Sequence, residues 1–111
     1  MSDDKVYLTY ILESINNINE VAGSTRDEFE ADKHDVAAAL YYLHTLAEAT
    51  QRLSEPLKLA HPEIDWVAIA GFRNRLVHGY LNINRNTIWN VIVHNLPPLK
   101  KVVEDMLSGM S

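Results

Sequence analysis

Between positions 73 and 80 the chain reads RNRLVHGY, which places two arginines, an asparagine, a histidine and a tyrosine in eight residues with no carboxylate among them. On a helix of about 3.6 residues per turn, Asn74 and His78 stand four apart and share a face. Arg73 is displaced to the flank and one turn lower, so Arg73, Asn74 and His78 can line one groove. Tyr80 follows just past the expected helix end. Gly79 permits the chain to turn back there toward the same groove.

Such a set suits work on a phosphodiester. A histidine with an ordinary pKa of about 6.5 exchanges protons near neutral pH. An arginine offers a permanent charge and a fork of donors for phosphate oxygens. With no carboxylate in the stretch to hold magnesium, metal-independent chemistry is favoured, and RNA carries its own nucleophile in the 2′-hydroxyl. Histidine would deprotonate that hydroxyl or protonate the leaving 5′-oxygen, while arginine would stabilise charge on phosphorus. The product would be a cyclic phosphate. One histidine cannot easily act as base and acid at once, so a second copy of the chain is expected to complete the site. The same residues also fit an ordinary helix end, where histidine favours the dipole and arginine stems cover apolar surface.

The other candidates are weaker. His34, His44, His61 and His94 lack the HExxH or paired spacing of a metal site, and cysteine is absent, so neither a metal nor any other cofactor is called for. Tyr41, Tyr42, Trp66 and Trp89 could stack on bases, but aromatics at helical spacing usually belong to a core. Lys100 and Lys101 could touch phosphates, though a solvated helix face explains them as well. No Gly-rich phosphate loop, Walker motif or Gly-x-Ser-x-Gly elbow is present.

The elements that must position this set are helical. Leu8, Ile11, Ile15, Ile18 and Val21 recur at helical spacing from Asp3 to about Ala22, and Gly23 ends that run. Ser24 or Thr25 can cap a short helix that carries Asp27 and Glu28 in its first turn. Val36, Leu40, Leu43, Ala47 and Thr50 mark a central core helix from about Lys33 to Leu53. Pro56 and Pro62 leave room for a helical turn or two. Asp65 then caps a helix through Trp66, Ile69, Ala70, Phe72, Leu76 and Val77, which stops at Gly79. A last helical region runs from about Asn84 to Leu107, with a kink or break expected at Pro97 and Pro98. No alternating strand or internal repeat is found, so residues 1–111 read as an all-α, single-domain bundle of four to five helices.

Composition sets the remaining bounds. The chain has 111 residues, 47% hydrophobic and 23% charged, enough for one core in a domain that gains from association. The net charge of −5 argues against a surface built wholesale for nucleic acid, but the charge is segregated. Residues 1–65 hold 13 acids against 5 Lys/Arg, and residues 66–111 hold 2 acids against 5, so the balance changes from −8 to +3. Between Trp66 and Val103 there is no acidic side chain, and RNRLVHGY lies inside that window. The opening MSDDKVYLTY carries acids where a secretory signal would be basic, and no run is long enough to span a membrane, so a cytoplasmic protein is expected.

Three stretches, DDKVYLTYILESINNI, AEATQRLSEPLKLAHPEIDWVAIAGFRN and GFRNRLVHGYLNINRNTIWNVIVHNLPPLKKVVEDML, resemble the HepT-like branch of the HEPN-domain proteins. These are the toxin half of the HepT–MntA, type VII, toxin–antitoxin systems. The family signature Arg-x4-His-x-Tyr is matched by Arg73, His78 and Tyr80, with Asn74 as the polar residue that usually follows the arginine. Gly79 stands where relatives often carry an acid. The resemblance implies a helical homodimer whose composite cleft joins the Arg and His of both subunits in a metal-independent endoribonuclease. It also implies an MntA-like nucleotidyltransferase antitoxin as partner, possible higher hetero-oligomers with it, and neutralisation by AMP transfer to Tyr80. That would add bulk and negative charge beside Arg73 and His78. A competing expectation is a non-catalytic HEPN module that binds the nucleotidyltransferase without cutting RNA. A purely structural helical assembly factor is a third.

Overall fold

A computed structural model of the chain describes residues 2–79 and 83–110. The described chain is all-α and contains no strand. Helix α1 spans Ser2–Ala22, α2 Arg26–Ala31, α3 Lys33–Arg52, α4 Glu55–Leu59, α5 Trp66–His78 and α6 Arg85–Asn90. A π-helical stretch, Val91–Asn95, joins α6 to α7, Leu96–Gly109. The last three run on as one long helix, so four long helices are linked by the short α2 and α4.

Local chemistry sets the boundaries. Gly23 adopts a φ of 67°, in the left-handed region where a side chain is strained, and this lets the chain leave α1 and enter α2. Thr25 caps α2: its Oγ1 accepts from the Glu28 amide at 3.3 Å and donates to the Glu28 carboxylate at 2.8 Å. Asp32 caps α3 by accepting from the amides of His34 and Asp35 at 2.8 and 3.1 Å. Asp65 caps α5 by accepting from the Ala68 amide at 2.9 Å.

Helices α1 and α3 form the broadest contact, and α1 brings Leu8, Ile11, Ile15 and Ile18 into it almost fully buried. They run antiparallel, since Ser54 just after α3 donates both its amide and its hydroxyl to the Asp4 carboxylate, at 2.9 and 2.7 Å. Helix α7 packs on α1 through Leu99, Val102, Val103 and Met106, and α5 packs on α3. The order across the bundle is therefore α5, α3, α1, α7.

Two expectations are corrected. The break foreseen at Pro97 and Pro98 is absent: both sit in the first turn of α7, and the irregularity lies just upstream in the π-helical turn. A proline ring clashes with the carbonyl four residues back, which for these two falls at Val93 and His94. The wider π turn at those residues relieves the clash and lets the helix continue. The second correction concerns α5, where Val77 is 46% exposed and only Leu76 is buried, while Ile69 and Phe72 are half-buried. Helix α5 is covered on one side only.

Candidate active site

Helix α5 is fastened at its start. The Trp66 indole N–H is shared between the carbonyls of Lys58 and His61, 3.1 Å from each, which ties α5 to the end of α4. At the other end the Gly79 amide donates to the Arg75 carbonyl at 2.8 Å. The φ of Gly79 is −157°, extended backbone open to any residue, so glycine's special freedom is not used at this helix end. Tyr80 lies outside the described residues.

With both ends of the helix fixed, its side chains divide by angle. Leu76 faces α3 and is buried. Arg73 leans from the same helix to one flank, and its Nε donates to Glu48 Oε1 of α3 at 2.5 Å. Its Nη1 donates to Asn74 Oδ1 at 3.2 Å. Asn74 and His78 are exposed on the outer face. Five residues at about 100° each separate Arg73 from His78 by roughly 140° around the axis. No hydrogen bond or ion pair joins the Arg73 and His78 side chains within one chain, and the His78 side chain makes none among the described residues.

Glu48 is the residue that sequence reasoning missed. The acid-free window around Arg73 is real along the chain but not in space, because α3 supplies a carboxylate from 25 positions upstream. The bond from Arg73, more than any other cause, holds the Glu48 carboxyl below the usual carboxylate range. His44 Nε2 lies 3.8 Å from the same Glu48 oxygen, one helical turn away on α3. The only sequence signal for this was the His44/Glu48 spacing, which marks a shared helix face and nothing more.

The remaining candidates disperse. Arg75 faces the opposite side of α5 and lines, with Phe72, His94 and Leu99, a largely apolar groove of about 680 Å3 between α5 and the last helix. Leu43, Leu46 and Ala47 of α3 form its floor. Arg85 donates to the Glu30 carbonyl. His61 Nδ1 sits 3.2 Å from Glu63, and His34 is exposed. Trp89 packs on Phe29 with ring centroids 5.7 Å apart, a core role. Tyr41, by contrast, is 56% exposed. Among the described residues no three His, Asp or Glu side chains gather as a metal-binding group, and no helix is long and apolar enough to cross a membrane.

The geometry thus leaves a held arginine and a solvent-facing histidine on one helix, on different sides of its axis. Comparison with known proteins agrees with the family resemblance. Residues 11–106 match the family model described as Ribonuclease HepT-like. The chain is 30% identical to "Putative RNase MJ0127" of Methanocaldococcus jannaschii, over 97% of this chain and 90% of that protein. It is 31% identical to "Putative RNase TTE0752" of Caldanaerobacter subterraneus subsp. tengcongensis, over 96% of each. It is 30% identical to "Probable ribonuclease HepT" of Thermococcus cleftensis, over 92% of this chain and 94% of that one. No solved structure matches the chain.

Proposed function

The chain belongs to the Ribonuclease HepT-like family, and on that premise we propose that it is an endoribonuclease toxin that cuts RNA without a metal, at a site shared by two copies of the chain. Its relatives carry ribonuclease names over nearly their whole length, which supports RNA as the substrate. The observation that supports the mechanism is an exposed His78 on α5, with Arg73 held by Glu48 on the flank of the same helix. Two α5 helices meeting about a twofold axis bring the arginine of one copy within reach of the histidine of the other. A pair of histidines then supplies what one cannot: one takes the proton of the 2′-hydroxyl as that oxygen attacks phosphorus, and the other protonates the departing 5′-oxygen. The arginines neutralise the extra charge on the phosphoryl oxygens as the five-coordinate state forms. Bonds balance without a co-reactant, giving a 2′,3′-cyclic phosphate and a free 5′-hydroxyl.

Tyr80, the position that follows Gly79, is the proposed point of control. Transfer of AMP from ATP to its hydroxyl by an MntA-like nucleotidyltransferase, with pyrophosphate as the leaving group, would add a phosphate and a nucleoside two positions beyond His78 and block RNA. The toxin would be active in the cytoplasm as a homodimer and silent, modified, in company with its antitoxin.

The test is cleavage of RNA by the purified protein, with and without EDTA, beside His78→Ala and Arg73→Ala. Cleavage that survives EDTA and is lost in both variants is the expected result. Mass spectrometry after co-expression with the neighbouring nucleotidyltransferase should show an AMP mass gain on the Tyr80 peptide. The pairing of Arg73 with Glu48 favours one second reading, a non-catalytic module that only binds the nucleotidyltransferase, because a carboxylate already occupies the arginine. Under that reading no RNA is cut and His78→Ala alters partner binding alone.

A further inference from the structure

On the flank of α3 that meets Arg73, a recess of about 240 Å3 lies across the seam with α1. Tyr7 and Tyr10 of α1 form one wall, and His44, Glu48 and Arg52 of α3 form the other. The proposed mechanism uses none of Tyr7, Tyr10, His44 and Arg52. We infer that this recess is a nucleobase subsite, which holds one unpaired base of an RNA strand whose phosphate lies on Arg73.

Glu48 connects the two places, since it lines the recess and also accepts from Arg73 at 2.5 Å. A ligand in the recess is thus next to the arginine. The chemistry of the walls assigns the two parts of a nucleotide. The Glu48 carboxylate, held ionised by Arg73, repels a phosphate in the recess and accepts hydrogen bonds from the N–H groups of a base edge. The tyrosines offer faces for a planar ring. Tyr10 is 47% exposed, two positions from Leu8 and one from Ile11 and so off the core face of α1, and its ring is not taken up by packing. The volume falls below the ~300–1,000 Å3 of sites for drug-sized ligands, which suits a single ring system. Tyrosine stacking is indifferent to sequence but needs a base out of its duplex. Arg52, at the far end of the wall, is placed for the phosphate beyond that base. This subsite rests on the ribonuclease reading for the role of Arg73, and it narrows the substrate class to single-stranded RNA.

The test measures binding of a short, fluorescently labelled single-stranded RNA to the full chain in a His78→Ala background, where the strand stays uncut. Tyr10→Ala should weaken binding about five- to 150-fold, the range of one lost base stack. Tyr10→Phe, which keeps the ring face, should bind like the parent. Annealing the same strand to its complement should remove the Tyr10 dependence. Equal thermal midpoints for the variants would show that folding is not the cause. Unchanged affinity in Tyr10→Ala overturns the subsite, as does a loss of self-association with RNA binding intact, which would make this face an interface between copies. Tyr10-dependent binding by a protein whose unmutated form cuts no RNA would sink the ribonuclease reading and leave the subsite standing. Cleavage that is indifferent to Tyr10 would do the reverse.

Discussion

Arg73 and Glu48 show what one side chain can do for another. Donation through Nε to Glu48 and through Nη1 to Asn74 orients the guanidinium and leaves its further N–H groups for a phosphate. Glu48→Gln keeps the shape and an acceptor but removes the charge, so Arg73 should swing more freely. Misplacement of a catalytic group by an ångström is costly, and cleavage should fall ~10-fold or more with little change in thermal midpoint. The pH dependence has a definite sign. Because the Glu48 pKa is lowered, the pair is intact throughout the neutral range and is lost only as pH falls through that lowered value. Wild type and Glu48→Gln should therefore differ by a constant factor near neutrality and converge only in acid below the usual carboxylate range. A cleavage profile from acid to neutral pH would check this. For His78→Ala the expected loss is larger, ~10²–10⁴ in rate, since the proposed proton-transfer group is removed outright. Arg73, Asn74, His78 and Tyr80 could be proposed from sequence because they sit within eight residues and their types are rare together. Glu48 was not, since nothing local separates it from the other acids of the first half of the chain. Only the packing of α5 on α3 selects it.

At the scale of elements, caps and periodicity carried most of the information. Asp65 and the Thr25/Glu28 pair announce helix starts through short-range hydrogen bonds, which need no tertiary context. The clamp between Asp4 and Ser54 was invisible because it joins positions 50 apart. It ties the start of α1 to the end of α3, and its hydrogen bonds, the side-chain one first, hold the Asp4 carboxyl below its ordinary value. Ser54→Ala should lower stability by about 1 kcal/mol near neutral pH. A group with a lowered pKa contributes above its unfolded value and loses that contribution as pH falls through the folded one. The difference between wild type and Ser54→Ala should thus shrink in acid, which urea titrations at neutral and acid pH would reveal. Gly23→Ala is a second probe. Open space surrounds the position, so the cost, about 1–2 kcal/mol, should come from the left-handed backbone alone. The displaced irregularity before Pro97 has a related lesson. Sequence locates the proline, but the backbone absorbs the strain one turn earlier, where the clashing carbonyls are.

Whole-molecule features were the least legible, because they depend on surface that the single chain leaves uncovered. The chain exposes 6642 Å2, somewhat above the roughly 6,200 Å2 expected for a folded monomer of this mass. The apolar residues of α5 read in sequence as a core face, yet only Leu76 of them is buried, and the rest are half-buried or exposed. Periodicity reports that a face is apolar, not whether this chain or another one covers it. A shared active site makes a demand here. If Arg73 of one copy is to serve with His78 of the other, the outer face of α5 must lie at the twofold axis, and Val77, 46% exposed beside both, must lie in the contact. Val77→Asp should then shift the assembly toward monomer by placing like charges near each other across the axis, while leaving the fold of each copy unchanged. Cleavage should fall in step with the dimer fraction and recover as protein concentration is raised. Light scattering and activity measured across one dilution series would decide the matter. A monomer that cuts RNA as fast as the concentrated protein would mean that Arg73 and His78 act within one chain, and the twofold site would have to be abandoned.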